Sequence, residues 1–111
     1  MVVADALHAE GIDYHYEKAL RGVDGVERYP DFTAEDPATG ITLYWEHLGM
    51  LSDPTYARRW EKKLQWYEAM GLQPNGPENA KGERLVTSQN RQDGAIDSAQ
   101  IRQQVRDVFE L

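Results

Sequence analysis

Two carboxylates in this chain stand where neither the strand nor the core calls for them. From Arg28 to Met50 the sequence reads RYPDFTAEDPATGITLYWEHLGM, two β-strands joined by a tight turn. Each strand holds one acid among apolar or aromatic neighbours: Asp31 between Pro30 and Phe32, and Glu46 between Trp45 and His47. A carboxylate so placed loses hydration, at roughly several kcal/mol, unless a cation, a hydrogen-bond donor or a ligand compensates it. Two of them on neighbouring strands point to a shared cation. A hard cation held this way can stabilise charge on a substrate oxygen and lower the pKa of an attacking water. Magnesium takes one or two carboxylates plus carbonyl oxygens and waters.

The elements around these acids follow from periodicity and turn chemistry. Val3, Ala4 and Leu7 give one helical face over Met1 to Glu10, and Gly11 stops it. That helix starts with no capping residue, so its first turn is expected to be missing or to lie upstream in a longer parent. Ile12 to Leu20 alternates, with Ile12, Tyr14 and Tyr16 on the core side and Asp13, His15 and Glu17 on the other. Asp24-Gly25 makes a hairpin turn into a second strand, Val26 to Ala34, in which Pro30 predicts an edge or a bulge because it has no amide to donate. After the turn at Asp36 to Gly40, the third strand, Ile41 to Leu48, puts Thr42, Tyr44, Glu46 and Leu48 on one face and Ile41, Leu43, Trp45 and His47 on the other. On that second face the His47 ring reads as a hydrogen-bonded core residue.

Asp53 is the expected N-cap, and Pro54 the first residue, of a helix reaching Met70 before Gly71. Tyr56, Trp60, Lys63 and Tyr67 form a single stripe along it, and Arg58, Arg59 and Lys62 make a basic flank that reads as a solvated face. A turn-rich loop from Gln73 to Gly82 leads to a short strand, Glu83 to Ser88. A last helix follows, capped by Asp97 or Ser98, with Ile101, Val105 and Val108 on one face.

Composition limits the function classes. The 111 residues read as one domain, and without cysteine there is no disulfide, thiolate metal site or cysteine nucleophile. No run is long and apolar enough for a membrane span and no signal sequence is evident, so a soluble cytoplasmic protein is expected. The net charge of −7 argues against a generic nucleic-acid binder. It leaves a nuclease open, because metal-binding carboxylates make such a site acidic until the ion is bound.

The order αβββαβα, the Pro-Asp pair on the second strand, the Glu on the third and the Lys-x-x-x-Tyr on the next helix resemble the PD-(D/E)XK nuclease superfamily. YPDFT, then WEHLGM, then KLQWYEAMG resemble most closely its modules found alone or attached to superfamily 1 DNA helicases. The resemblance spans nearly the whole chain. It implies a restriction-endonuclease-like α/β core with a mixed sheet flanked by helices, and cleavage of DNA as an endonuclease or exonuclease. It implies Mg2+ or Mn2+ held by Asp31, Glu46 and the backbone carbonyl of His47. The family places a lysine two residues after the glutamate, where this chain has Leu48; Lys63, in the stripe with Tyr67, is the matching replacement. Tyr67 and Glu17 are the supporting residues. Related sequences also carry an acid in the first turn of the first helix, near Met1 here, and Asp5 stands too far along to substitute. Two further readings remain: a nuclease-fold module that binds nucleic acid or a partner protein without cutting, and a purely structural role in which the two acids pair with Arg28 or Lys63.

Overall fold

Alternation along the strands and apolar stripes on three helices build two hydrophobic layers, one on each face of a mixed sheet. The computed structural model describes residues 2–111; Met1, on which the expected helix start falls, lies outside them. The elements in chain order are α1 (Val2–Ala9), β1 (Tyr14–Tyr16), β2 (Leu20–Arg21), β3 (Glu27–Arg28), β4 (Phe32–Glu35), β5 (Thr42–Leu48), α2 (Pro54–Glu68), β6 (Glu83–Gln89) and α3 (Ser98–Val108). The main sheet runs β1-β4-β5-β6, antiparallel except for the parallel pair β5 and β6. A parallel neighbour needs a crossover, and α2 supplies it. None of the described helices is long and apolar enough to cross a membrane.

Period-2 alternation in β5 divides the two layers. Leu43 and Trp45 join Phe32, Val86, and Val3, Leu7, Ile101 and Val105 of α1 and α3 in one cluster. Tyr44 joins Leu85, Leu72, and Trp66 and Tyr67 of α2 in the other. Each fully buried large side chain contributes about 1.5–3 kcal/mol of transfer free energy. The caps act as read: Asp53 accepts from the amides of Thr55 and Tyr56, and Asp97 from that of Gln100.

The first hairpin departs from expectation. The long strands expected over Ile12–Leu20 and Val26–Ala34 are each broken, giving β1 and β2 on one arm and β3 and β4 on the other. Pro30 interrupts the ladder by lacking an amide, and Glu17, across from Asp31, takes a left-handed φ of 49°. One bond spans the break, from the Glu17 N–H to the Asp31 carbonyl at 3.1 Å. The outer half of the hairpin turns off the sheet and lies on α2, where the Trp66 indole N–H donates to the Val26 carbonyl at 3.1 Å. Gly22 permits that approach, since a Cβ there would stand 1.9 Å from Trp66 Nε1. Tyr16, expected in the core, is 64% exposed. It ends an edge strand and covers only the rim of Phe32, with ring centroids 5.6 Å apart.

Candidate active site

The break in the hairpin determines where Asp31 sits. It occupies the bend just before β4, and its Oδ2 accepts from the backbone N–H of His47 on β5 at 2.8 Å. This bond ties the acid of one strand to the residue that follows the acid of the next. Asp31, Glu46, His47, Leu48, Tyr56, Arg59, Trp60 and Lys63 line one open cleft of about 240 Å3. Glu46 is buried on the α2 face of β5, as the alternation requires.

Lys63 comes to this acid from α2. Its ammonium lies 3.0 Å from Glu46 Oε1 and 2.7 Å from Oε2, and also donates to the Tyr29 carbonyl at 2.8 Å. One turn further along the same stripe, the Tyr67 hydroxyl donates to Glu46 Oε2 at 2.5 Å. Leu48, two residues after Glu46, is buried and lines the cleft. An apolar side chain thus occupies the strand position while the helix provides the cation. Among the described residues Arg28, the other partner considered for these acids, forms no ion pair.

Burial dominates the electrostatics. It pushes the Glu46 carboxyl up to about 7 against the opposing pull of the Lys63 charge, with the Asp31 charge adding to the rise and the donors Lys63 and Tyr67 opposing it. The Tyr67 phenol is raised far above its ordinary range by burial and then by the charge and hydrogen bond of Glu46, so it stays a donor. Burial also raises Tyr56; the Gly49 contact opposes the rise, and Asp31 and Glu46 add to it.

The donors fit a hard cation better than a soft one. Among the described residues no group of three or more His, Cys, Asp or Glu side chains is placed to hold a metal ion. Asp31, Glu46 and the His47 carbonyl are all oxygen donors, and such a set with retained waters is what magnesium or manganese takes. Asp31 commits only Oδ2 to protein, so Oδ1 is open to a ligand among the described residues. Glu46, held at both oxygens by Lys63 and Tyr67, has to share one of them.

The His47 ring points the other way and is fully engaged. Asn90 donates its amide to the carbonyls of Gly49 and Gly94, leaving Oδ1 to accept from His47 Nε2 at 2.7 Å. Ser88 Oγ accepts from the Trp45 indole at 3.0 Å and meets His47 Nδ1 at 2.7 Å. With the Asn90 amide donating elsewhere, its Oδ1 calls for an N–H at Nε2, and these contacts anchor the backbone whose N–H holds Asp31. Glu17 is absent from the cleft; its side chain is exposed, and its backbone alone supports Asp31.

Three cleft features go beyond the sequence reading. Tyr56 reaches the His47 carbonyl with its hydroxyl at 3.4 Å and accepts from the Gly49 amide at 3.3 Å; its place in the stripe with Lys63 was the available signal. Arg59, which reads in the sequence as part of a solvated flank, forms a cleft wall while remaining exposed. The Tyr29 carbonyl carries no sequence signature. The chain matches no protein-family model and no curated protein.

Proposed function

We propose that this chain is a metal-dependent nuclease module with a PD-(D/E)XK-type core, hydrolysing DNA phosphodiesters at the cleft of Asp31, Glu46 and Lys63. One observation carries the proposal: α2 delivers the Lys63 ammonium to Glu46 while Leu48 fills the strand position where the family pattern has lysine. The element order and mixed sheet support the same core.

Asp31, Glu46 and the His47 carbonyl would hold Mg2+ or Mn2+. When bound, the ion supplies charge stabilisation at the phosphoryl oxygens and acidifies a water. Asp31 is oriented by the His47 amide. Glu46 has to be ionised to act as a ligand, and Lys63 favours that form. Lys63 then offers its charge to the phosphate or to the attacking water, in the role of an electrostatic partner. In the overall step the water oxygen bonds to phosphorus as one ester P–O bond breaks. The water gives up a proton, the leaving oxygen gains one, and the products are a phosphate monoester and an alcohol.

A second reading has its own observation. Both oxygens of Glu46 are engaged by Lys63 and Tyr67, as suits a module that binds nucleic acid or a protein partner without cutting. Cleavage of single- and double-stranded DNA with and without magnesium or manganese separates the two. The nuclease reading expects cutting that chelator and Asp31→Asn both abolish; the binding reading expects DNA retention with no cutting by any variant.

A further inference from the structure

One helical turn along α2 from the cleft lies a second cavity, of about 290 Å3, with Arg28 and Lys62 in its walls beside Gln65, Trp66 and Asp24. Among the described residues neither cation forms an ion pair. The Nε of Arg28 is buried without a hydrogen-bond partner, and an orphaned guanidinium N–H is satisfied best by an anion, which accepts a charge-assisted bond. Asp24 is the acid at the rim, and its Oδ1 is committed to the Val26 amide of its own turn at 3.0 Å.

The surrounding charge favours a polyanion. In a chain of net charge −7, α2 carries Arg58, Arg59, Lys62 and Lys63 against Glu61 and Glu68. The cavity and the cleft have no lining residue in common but are linked by chain neighbours: Lys62 adjoins Lys63 on α2, and Arg28 precedes Tyr29, whose carbonyl holds the Lys63 ammonium. Arg59 of the cleft stands three residues before Lys62, roughly 5 Å along the helix axis. That offset corresponds to one or two nucleotides of a strand, at roughly 3.4 Å each.

We infer that Arg28 and Lys62 form a phosphate subsite that grips a non-scissile phosphate of the nucleic-acid strand whose neighbouring phosphodiester lies at Asp31 and Glu46. This rests on the nuclease reading for its register, and on the two cations for its chemistry. Guanidinium and ammonium neutralise the phosphate, and Gln65 offers an amide donor.

The test is binding of a labelled oligodeoxythymidine by fluorescence anisotropy, in chelator, over a range of salt. Lys62→Gln and Arg28→Gln should each weaken binding about three- to tenfold at low salt and flatten the log–log salt dependence by about 0.7. Arg28→Lys should retain most of the affinity, and Arg102→Gln on α3 all of it. Lys62 is exposed, so its variant keeps the fold whatever Arg28→Gln does to the melting temperature. Unchanged affinity and slope in Lys62→Gln would overturn the subsite. Displacement of the oligonucleotide by inorganic phosphate at equal phosphate concentration would overturn it as a strand site and leave a pocket for a free anion. Asp31→Asn, which abolishes cutting under the nuclease reading, leaves this binding intact. Binding lost in Lys62→Gln without cutting by any variant would therefore remove the nuclease reading alone, whereas cutting with normal binding in Lys62→Gln would remove the subsite alone.

Discussion

Lys63 on α2 places its ammonium 3.0 and 2.7 Å from the two carboxylate oxygens of Glu46 on β5, so a helix supplies the counter-charge that Leu48 on the strand does not. The pair is unequal: Glu46 is nearly inaccessible, its side chain 4% exposed, while Lys63 keeps 21% of its surface. Removing the lysine leaves an uncompensated buried charge. Lys63→Met should cost about 2–4 kcal/mol at pH 8, somewhat under the range for a fully buried pair. At pH 5, where Glu46 is neutral, the loss should be small. Urea melts at the two pH values check this, and equal losses would contradict the pairing.

The Glu46 carboxyl gives a pH dependence of defined sign. Unfolded it ionises near 4.5 and folded near 7, so between those values the folded state holds a proton that the unfolded state has released. Stability is full below about 4.5, falls as pH rises, and reaches its lower plateau above about 7, with a total change on the order of 3 kcal/mol. Glu46→Gln should flatten this segment and be the more stable protein at pH 8. A Glu46→Gln variant less stable than the parent at pH 8 would favour a structural ion pair.

Under the proposed function a divalent ion should reverse that cost. With Asp31 and Glu46 as ligands, magnesium or manganese at tenfold above its Kd should stabilise the fold by about 1.4 kcal/mol, more at pH 8 than at pH 6 because Glu46 has to be ionised. Asp31→Asn should remove the effect. Melting curves with and without metal read it directly, and a shift that persists in Asp31→Asn would put the ion elsewhere.

Under the proposed PD-(D/E)XK reading, a lysine at the strand position should be able to stand in for the helix lysine. Leu48 shares the Glu46 face of β5 and lines the same cleft. Leu48→Lys alone should destabilise, since it adds a second cation to a buried acid already paired. Combined with Lys63→Met it should recover part of the stability and activity that Lys63→Met loses. No recovery in the double variant would show that position 48 cannot serve the site in this fold.

Much of the cleft was legible because side-chain type and period carried it. Acids amid apolar strand sequence marked Asp31 and Glu46, and helical spacing put Tyr56, Trp60, Lys63 and Tyr67 on one stripe, which meets the cleft and Glu46. The order of helices and strands followed from alternation, turns and caps, whereas the mixed sheet flanked by helices was only what the family resemblance implied. The broken hairpin was only half legible: Pro30 marked a bulge, but nothing in the identity of Glu17 announces a left-handed backbone. Tyr16 was misread because alternation gives the face and not the edge; the ring points to the core side of a strand that the core does not reach. The Tyr29 carbonyl, which takes a bond from Lys63, is a backbone group, and any residue at that position would offer it.

The central claim is that Asp31 and Glu46 hold a metal for phosphodiester hydrolysis, and cleavage of DNA by the purified chain tests it most directly. With Leu48 where the proposed family's pattern has lysine, and a net charge of −7, the rate should be low, about two to three powers of ten below that of a site with its strand lysine in place. The measurement is cutting of plasmid and single-stranded oligonucleotide at micromolar protein, with magnesium, manganese or chelator, for the parent chain, Asp31→Asn and Lys63→Met. The predicted result is slow metal-dependent cutting that chelator and Asp31→Asn abolish and Lys63→Met diminishes. No cutting with either metal, or cutting that survives Asp31→Asn, would contradict it.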